Sequence, residues 1–449
     1  MTLQWKPRLL SLVESPIKLL GTASSGASRA IQRRQNRQQK RRSALLLVEN
    51  CSVPRDRRVW QEAGALRDAG YAVCIVSPRE DGQKAWETLD GIEVYRHPAL
   101  PEASGPLGYA LEYGMAIFWE TLFVWRVFFR VGFDVVHMSN PPDILFLVVG
   151  LFKVIFSKKL IFDHHDICPE LYEAKFGKKG LPFWVLSQLE RWSIKAADIV
   201  ISTNESYRRI AIERGGKDPS RVFVVRNGPD LKRLRPLAPI PALKHGRSYL
   251  VGYVGVIGSQ DGLHHLVHAA AFIVHSCGRT DIHFAVLGDG PQLHSTRRLA
   301  RSLNVDQYFT FTGWASDQTL LEYLNTADLC VGSDGHNALN DKSTMVKIME
   351  YMALGKPIVQ FALTEGRISA GDASLYAKPN DHIDFARKVL ELLDDPVRRA
   401  AMGQCGRTRV ELALAWRHQA SMLLAAYDSL WPESAQQELA DGHHSGGAL

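Results

Sequence analysis

The feature that most constrains how this chain can fold is an alternation of strand-like and helix-like stretches that runs once, breaks and starts again. The break is PDLKRLRPLAPIPALKHG, residues 229 to 246, which holds four prolines and no apolar period and therefore reads as a linker. Before it, ALLLVEN, AVCIVSP, DVVHMS, KLIFDHHD, IVISTN and VFVVRN are short apolar runs of strand type. Helical stretches separate several of them. RDRRVWQEAGALRDAGY places Val59, Ala63, Leu66 and Ala69 on one helix face and stops at Gly70, and PDILFLVVGLFKVIF and WVLSQLERWSIKAAD are two more. After the break, YLVGYVG, HFAVLGD, YFTFTG, LCVGS and PIVQF repeat the pattern between helical stretches such as LHHLVHAAAFIVH. Strand, helix, strand in sequence is a right-handed parallel unit, so the expected class is α/β with two doubly wound, Rossmann-like domains.

The expected boundaries are an N-terminal extension over 1–42, a first domain over 43–228, the linker, a second domain over 247–411 and a tail over 433–449. A helix over 412–432, with Trp416, Leu423, Leu424, Tyr427 and Leu430, is expected to cross back onto the first domain. Open parallel sheets bind ligands beyond the carboxyl ends of their strands, so the site is expected in a cleft between the domains.

With 449 residues and 46% apolar content the chain can bury two large cores. Its six cysteines are scattered without paired or metal-type spacing, which points to a reducing compartment and no zinc site. The net charge of +7 is concentrated: Arg29, Arg33, Arg34, Arg37, Lys40, Arg41 and Arg42 crowd one segment. Such a run is a solvated arm or, beside the mixed apolar and basic residues 2–20, a contact for an anionic membrane surface; no nucleic-acid partner is expected. Residues 109–129 are apolar around most of a helix but include Glu112, Glu120 and Arg126, too much charge for a spanning segment. The two readings are a helix lying against a bilayer and a helix inside the first core.

Three stretches hold candidate chemistry. DKSTMVKIMEYMALGKPIV, residues 341–359, reads as loop, helix, tight turn and buried strand, with Met345, Ile348, Met349, Met352 and Ala353 on one face. Ser343 or Thr344 is expected to cap the helix, where free N–H groups favour an anion such as diphosphate, and Glu350 is expected to face inward. Asp163-His164-His165-Asp166 ends a strand and suits acid–base work, hydroxyl binding, metal ligation or a plain hydrogen-bonded loop. Gly252, Gly255, Gly258 and Gly262 punctuate YVGVIGSQDG, and Gly288-Asp289-Gly290 ends the next strand in the same way. Such turns can cradle phosphate, although the spacing is neither a dinucleotide fingerprint nor a P-loop.

In this order the pieces resemble family 4 glycosyltransferases of the GT-B fold, retaining enzymes with nucleotide-sugar donors, and among them the bacterial exopolysaccharide and O-antigen transferases. The resemblance rests on DRRVWQEAGALRDAGY, the strand ending at His165-Asp166, ADIVISTNES with VVRNGPD, GSQDGLHHLVHAA, VLGDGP, FTG and EYMALGKPIV, spread over residues 43 to 431. It implies that Glu350 binds the donor ribose and that the loop from Ser343 to Val346, with Thr344, cradles the diphosphate. It implies that His165, with Asp166, lies near the reacting carbon, and that Gly258, Ser259 and Gly290 line the donor side. Two positions depart from the family pattern. Lys342 stands where many members have a sugar-binding glutamate, and Val256 and Asp261 stand where many have a basic pair. Lys347, helped by Lys342, is then expected to neutralise the leaving diphosphate, and Asp341 to replace the missing carboxylate.

The expected activity is retaining transfer of a sugar to an acceptor hydroxyl, on a lipid-linked or other saccharide, at the inner face of the cytoplasmic membrane in polysaccharide biosynthesis. No metal or resident cofactor is expected; the nucleotide-sugar is a substrate. Competing readings are a nucleotide-sugar epimerase or soluble-acceptor transferase of the same fold, and a non-catalytic partner in a polysaccharide assembly.

Overall fold

The computed structural model describes residues 41–99 and 105–431. The expected basic, partly amphipathic extension as far as residue 40 and the tail over 433–449 lie outside the described residues.

The first sheet is formed by β1 (Ser43–Leu47), β2 (Ala72–Pro78), β3 (Trp86–Leu89), β4 (Ile92–His97), β5 (Val135–Ser139), β6 (Lys159–His164), β7 (Ile199–Ser202) and β8 (Val222–Val224). Their order is β3-β4-β2-β1-β5-β6-β7-β8. Every pairing is parallel except β3 against β4. Around it lie α1 (Arg57–Asp68), α2 (Gly105–Arg130), α3 (Leu145–Phe156), α4 (Cys168–Phe176), α5 (Leu181–Ala196) and α6 (Glu205–Glu213). Side chains alternate across a strand, so β1 sends Leu46 to one face and Leu45 and Leu47 to the other. Both faces are covered, and the strand therefore reads as an unbroken apolar run.

On the Leu46 face, α1 packs through Val59, Ala63 and Leu66. Its start is capped by Asp56, whose carboxylate accepts from Val59 N. The other face is covered by α2 and α3 through Val124, Val127, Val148 and Phe152. The 109–129 stretch lies in α2, which is buried on one side only. Ala116, Glu120, Val124 and Val127 point into the domain, while Leu111, Phe118, Leu122 and Phe129 are exposed. No helix among the described residues is long and apolar enough to cross a membrane.

The second sheet contains β9 (Tyr249–Val254), β10 (Ile282–Leu287), β11 (Phe309–Gly313), β12 (Leu329–Gly332), β13 (Ile358–Phe361) and β14 (Ser374–Ala377). Its order, β11-β10-β9-β12-β13-β14, is parallel throughout. Its helices are α7 (Leu263–Ala271), α8 (Leu293–Ser302), α9 (Asp317–Thr326), α10 (Val346–Ala353), α11 (Thr364–Ala370), α12 (His382–Leu393) and α13 (Pro396–Arg409). The last helix, α14 (Trp416–Asp428), crosses back and seals the first core with Leu423, Ala426 and Tyr427.

Candidate active site

The segments that follow β1, β6, β7, β9, β10 and β12 are joined by direct contacts. In the second domain the 333–345 loop folds on itself: Asn337 Oδ1 accepts from Leu339 N and Asn340 N at 3.0 and 2.8 Å. Asn340 Nδ2 donates to Gln260 O at 2.8 Å and ties the loop to the glycine turn after β9. The first domain then grips this loop. Asn204 Nδ2 donates to Lys342 O at 2.9 Å and to Thr344 Oγ1 at 3.2 Å, and the Tyr207 hydroxyl meets Ser343 Oγ at 2.9 Å. Lys342 Nζ reaches Glu170 Oε1 at 3.0 Å.

The expected cap on α10 is therefore corrected. The N-cap is Met345, with no side-chain bond to the helix. Ser343 Oγ donates instead to Leu339 O at 2.8 Å, and Thr344 receives Asn204. Both hydroxyls are taken by the loop and by the opposite domain. Asp341 also has another task, accepting from Thr364 N and Oγ1 at 2.8 and 3.0 Å at the start of α11.

Glu350 lies on the second turn of α10, buried and facing the cleft loops. Its Oε1 pairs with Arg233 from the linker and lies 3.5 Å from Arg57 Nη1, at the start of α1. Asp317, the first residue of α9, holds the same two guanidinium groups at 2.6 and 3.1 Å. Glu350, the expected ribose carboxylate, thus alternates with Asp317 and two arginines in a ring of charge drawn from both domains and the linker. Arg57, Arg233 and Asp317 were not legible as site residues, because only the folded chain brings them to Glu350.

Lys347 is buried rather than presented to the cleft. Its ammonium lies 2.7 Å from Asp334, 3.8 Å from Asp261 and 3.2 Å from the Tyr253 hydroxyl. Burial works against its charge, but Asp334, Tyr253 and Asp261 outweigh that and hold its pKa above the usual range. Two carboxylates already balance Lys347, so the expected role of a cation free for the diphosphate does not fit this placement.

The glycine turns have a structural cause that the sequence did not show. Gly255 and Gly288 adopt φ 151° and 145°, and a Cβ on Gly288 would fall 1.8 Å from Gly255 O. A Cβ on Gly290 would fall 2.6 Å from Ile257 O. The two turns pack backbone to backbone, which only glycine permits. Within the first turn, Gly258 N donates to Asp261 Oδ2 at 3.0 Å, while Ser259 is exposed. Burial, and then the neighbouring Asp334, push the Asp261 carboxyl up.

In the first domain His165 follows β6, and its Nδ1 lies 3.1 Å from Asp163 Oδ2. Asp163 is buried and held by Arg58 Nε and Nη2 at 2.8 and 2.6 Å. Burial opposes its charge, but Arg58 holds its carboxyl well below the usual range. Asp166 accepts from Ile167 N at 2.9 Å, and burial pushes its carboxyl up. His164 points away, pairing with Glu190 at 3.1 Å. Glu62, His137 and Asp163 bring possible metal-ligand atoms within 4.8 Å of one another. Arg58 Nη2 lies 3.1 Å from Glu62 and 2.6 Å from Asp163, so a guanidinium already supplies the positive charge there.

This architecture can be set beside known proteins. Residues 56–228 match the model of the glycosyl transferase 4-like domain, and residues 248–395 match that of the glycosyl transferases group 1. Between them they take in most of the chain. A 2-deoxystreptamine glucosyltransferase of Streptomyces kanamyceticus is 26% identical over 261 residues, 54% of this chain. The match spans 64% of that relative's length, less than two thirds. Sucrose-phosphate synthase from Thermosynechococcus elongatus superposes with a TM-score of 0.72 at 19% identity, covering 88% of this chain and all of the other. HepE of Anabaena, solved with UDP and glucose, superposes at 0.66 with 14% identity, covering 86% of this chain and all of that one. With a GT-B pair of parallel-sheet domains and both halves matched in order, the chain belongs to the GT-B, family 4-like glycosyltransferases.

Proposed function

We propose that the protein is a retaining glycosyltransferase that moves a sugar from a nucleoside-diphosphate donor to the hydroxyl of a lipid-linked saccharide, at the cytoplasmic membrane surface, in bacterial polysaccharide assembly. The observation behind this reading is the placement of Glu350: a buried carboxylate at the cleft, ringed by Arg57, Arg233 and Asp317. Such a carboxylate suits the paired hydroxyls of a ribose, and the adjacent guanidinium groups suit its phosphates. HepE of Anabaena, a neighbour of the same fold, has been solved with UDP and glucose and with UDP-glucose.

Retention by this route needs no protein nucleophile. The diphosphate leaves while the acceptor hydroxyl attacks from the same face and passes its proton to the departing phosphate oxygen. The residues then orient the donor, stabilise charge and exclude water; Glu350 holds the ribose and His165 touches the sugar. The contacts from Asn204, Tyr207 and Glu170 to the 342–344 loop support a closed cleft in which this can occur.

The lipid part of the reading rests on a band of exposed apolar side chains across α2, α3 and α5. It includes Phe129, Leu151, Val154, Ile155 and Trp184, with Arg126, Arg191 and Lys195 exposed beside it. Such a band fits the acyl boundary of an anionic bilayer. The similarity to a 2-deoxystreptamine glucosyltransferase supports a soluble-acceptor reading of the same chemistry. Release of nucleoside diphosphate from a panel of nucleotide-sugars, with and without lipid-linked saccharides, separates the two. A donor turned over faster with the lipid acceptor supports the proposal, and no turnover of any donor with either acceptor class overturns it.

A further inference from the structure

Behind His165 lies a buried charged cluster that transfer without a protein nucleophile does not by itself require. Arg58 is its centre. Besides gripping Asp163, its Nη1 donates to Val225 O at 3.0 Å and to Asn227 Oδ1 at 2.6 Å, so the guanidinium is fixed by groups from β6 and from the loop after β8. Glu62, one turn along α1, lies 3.1 Å from Arg58 Nη2. His137 on β5 places Nε2 3.5 Å from Glu62 and 3.8 Å from Asp163. Its Nδ1 meets the Tyr427 hydroxyl of the returning helix at 2.9 Å. Burying such a cluster contributes little stability compared with apolar side chains of the same size, so its presence calls for another role.

One member of the cluster reaches the cleft. His165 turns Nδ1 to Asp163, and its Nε2 has no hydrogen-bond partner among the described residues, on a side chain 14% exposed. We infer that Asp163, anchored by Arg58, is the positioning residue of His165: it accepts a hydrogen bond from Nδ1–H, fixes the ring plane and presents Nε2 to the bound sugar. A carboxylate on one ring nitrogen selects the tautomer and leaves the other nitrogen to the substrate. Tyr427 acts one step further back, holding His137 against Glu62 and Asp163 and so joining α14 to the reaction cleft.

The charged and titratable groups facing His165 set its protonation. Burial opposes the imidazolium, Asp163 on β6 favours it through the hydrogen bond and its charge, Arg58 on α1 opposes it, and Asp56 before α1 favours it. The balance is a pKa above the ordinary value. Nε2 is then an N–H donor to a sugar oxygen at low pH and a bare acceptor once the ring is neutral.

The inference rests on His165 being a cleft residue, and its test does not depend on turnover. Full-length protein labelled with 15N-histidine is titrated by NMR, with the His165 signals assigned by their loss in His165→Gln. In the wild-type protein the neutral ring is expected to carry its proton on Nδ1. A neutral ring protonated on Nε2 overturns the inference without any further variant. In Asp163→Asn the titration midpoint is expected to fall by about one pH unit, as for loss of an opposite charge at contact distance. An unchanged midpoint and tautomer in a folded Asp163→Asn protein also overturns it. If no nucleotide-sugar is turned over but the ring behaves as expected, the proposed function fails and the positioning stands.

Discussion

Lys342 and Glu170 form an ion pair across the cleft, Nζ to Oε1 3.0 Å, linking the 333–345 loop of the second domain to α4 of the first. Glu170 is nearly buried and is also held by Arg214 at 2.9 and 3.1 Å, whereas Lys342 is 38% exposed in its side chain. A pair with one partner this open contributes about 0–1 kcal/mol to stability. Its consequence is geometric: together with Asn204 and Tyr207 it ties the loop to the first domain.

Lys342→Met is therefore expected to move the melting temperature by no more than about 2 °C. Lys342→Glu places two carboxylates face to face and is expected to weaken nucleoside-diphosphate binding about tenfold relative to Lys342→Met. Equal affinities in titrations of the two variants would show that the pair does not control closure.

Lys347 behaves in the opposite way. Removing it leaves Asp334, 4% exposed, without its partner, so Lys347→Met is expected to cost about 3–5 kcal/mol of stability. Adding Asp334→Asn should restore most of the melting temperature. If Lys347→Met instead melts like the wild type while losing turnover, the lysine serves the leaving group after all.

Much of the fold was legible in the sequence because buried parallel strands must read as apolar runs; β1, β2, β5 to β8 and β9 to β13 were visible in this way. The β3–β4 hairpin was passed over, although its signal was present. Asp90-Gly91 is a two-residue turn with φ 49° and 78°, between WETL and IEVYRH. Helix α4 has little amphipathic pattern and ends at Gly177, so periodicity alone did not reveal it. In the candidate site, the inward-facing position of Glu350 on its helix and the place of His165 at the end of β6 were legible from local sequence. Arg57, Arg233 and Glu170 were not, because their contacts with Glu350 and Lys342 span more than a hundred residues of chain. Ser343 and Thr344 show the same limit: a local capping rule lost to Tyr207 and Asn204 from the other domain.

Glu62 makes stability depend on pH. Burial, with Asp163 beside it, pushes its carboxyl up to about 7 against an ordinary 4.5, despite Arg58 and His137. Between those values the folded state keeps a proton that the unfolded chain releases, so stability is greatest below the window and falls as pH rises through it. Glu62→Gln cannot ionise. Its melting temperature is expected to gain on the wild type by several °C between pH 5 and pH 8. A difference that is the same at both pH values in thermal melts would exclude this linkage.

The apolar band is testable without knowing any substrate. Phe129 and Val154 are 78% and 82% exposed, so Phe129→Glu and Val154→Glu should leave the melting temperature within about 2 °C of the wild type. Their co-sedimentation with vesicles containing anionic lipid is expected to fall about tenfold, and wild-type binding to weaken as salt rises. Binding that ignores both substitutions assigns membrane contact to another part of the chain.

The most direct test is a thermal-shift screen of UDP, GDP, ADP and dTDP against the wild-type protein and Glu350→Ala. At a hundred times its dissociation constant, a ligand specific to the folded state adds about 2.7 kcal/mol of stability. At least one nucleotide is expected to raise the wild-type melting temperature by several °C and to leave a folded Glu350→Ala variant unmoved. An equal rise in both proteins, or no rise with any nucleotide, would contradict a donor site built on Glu350.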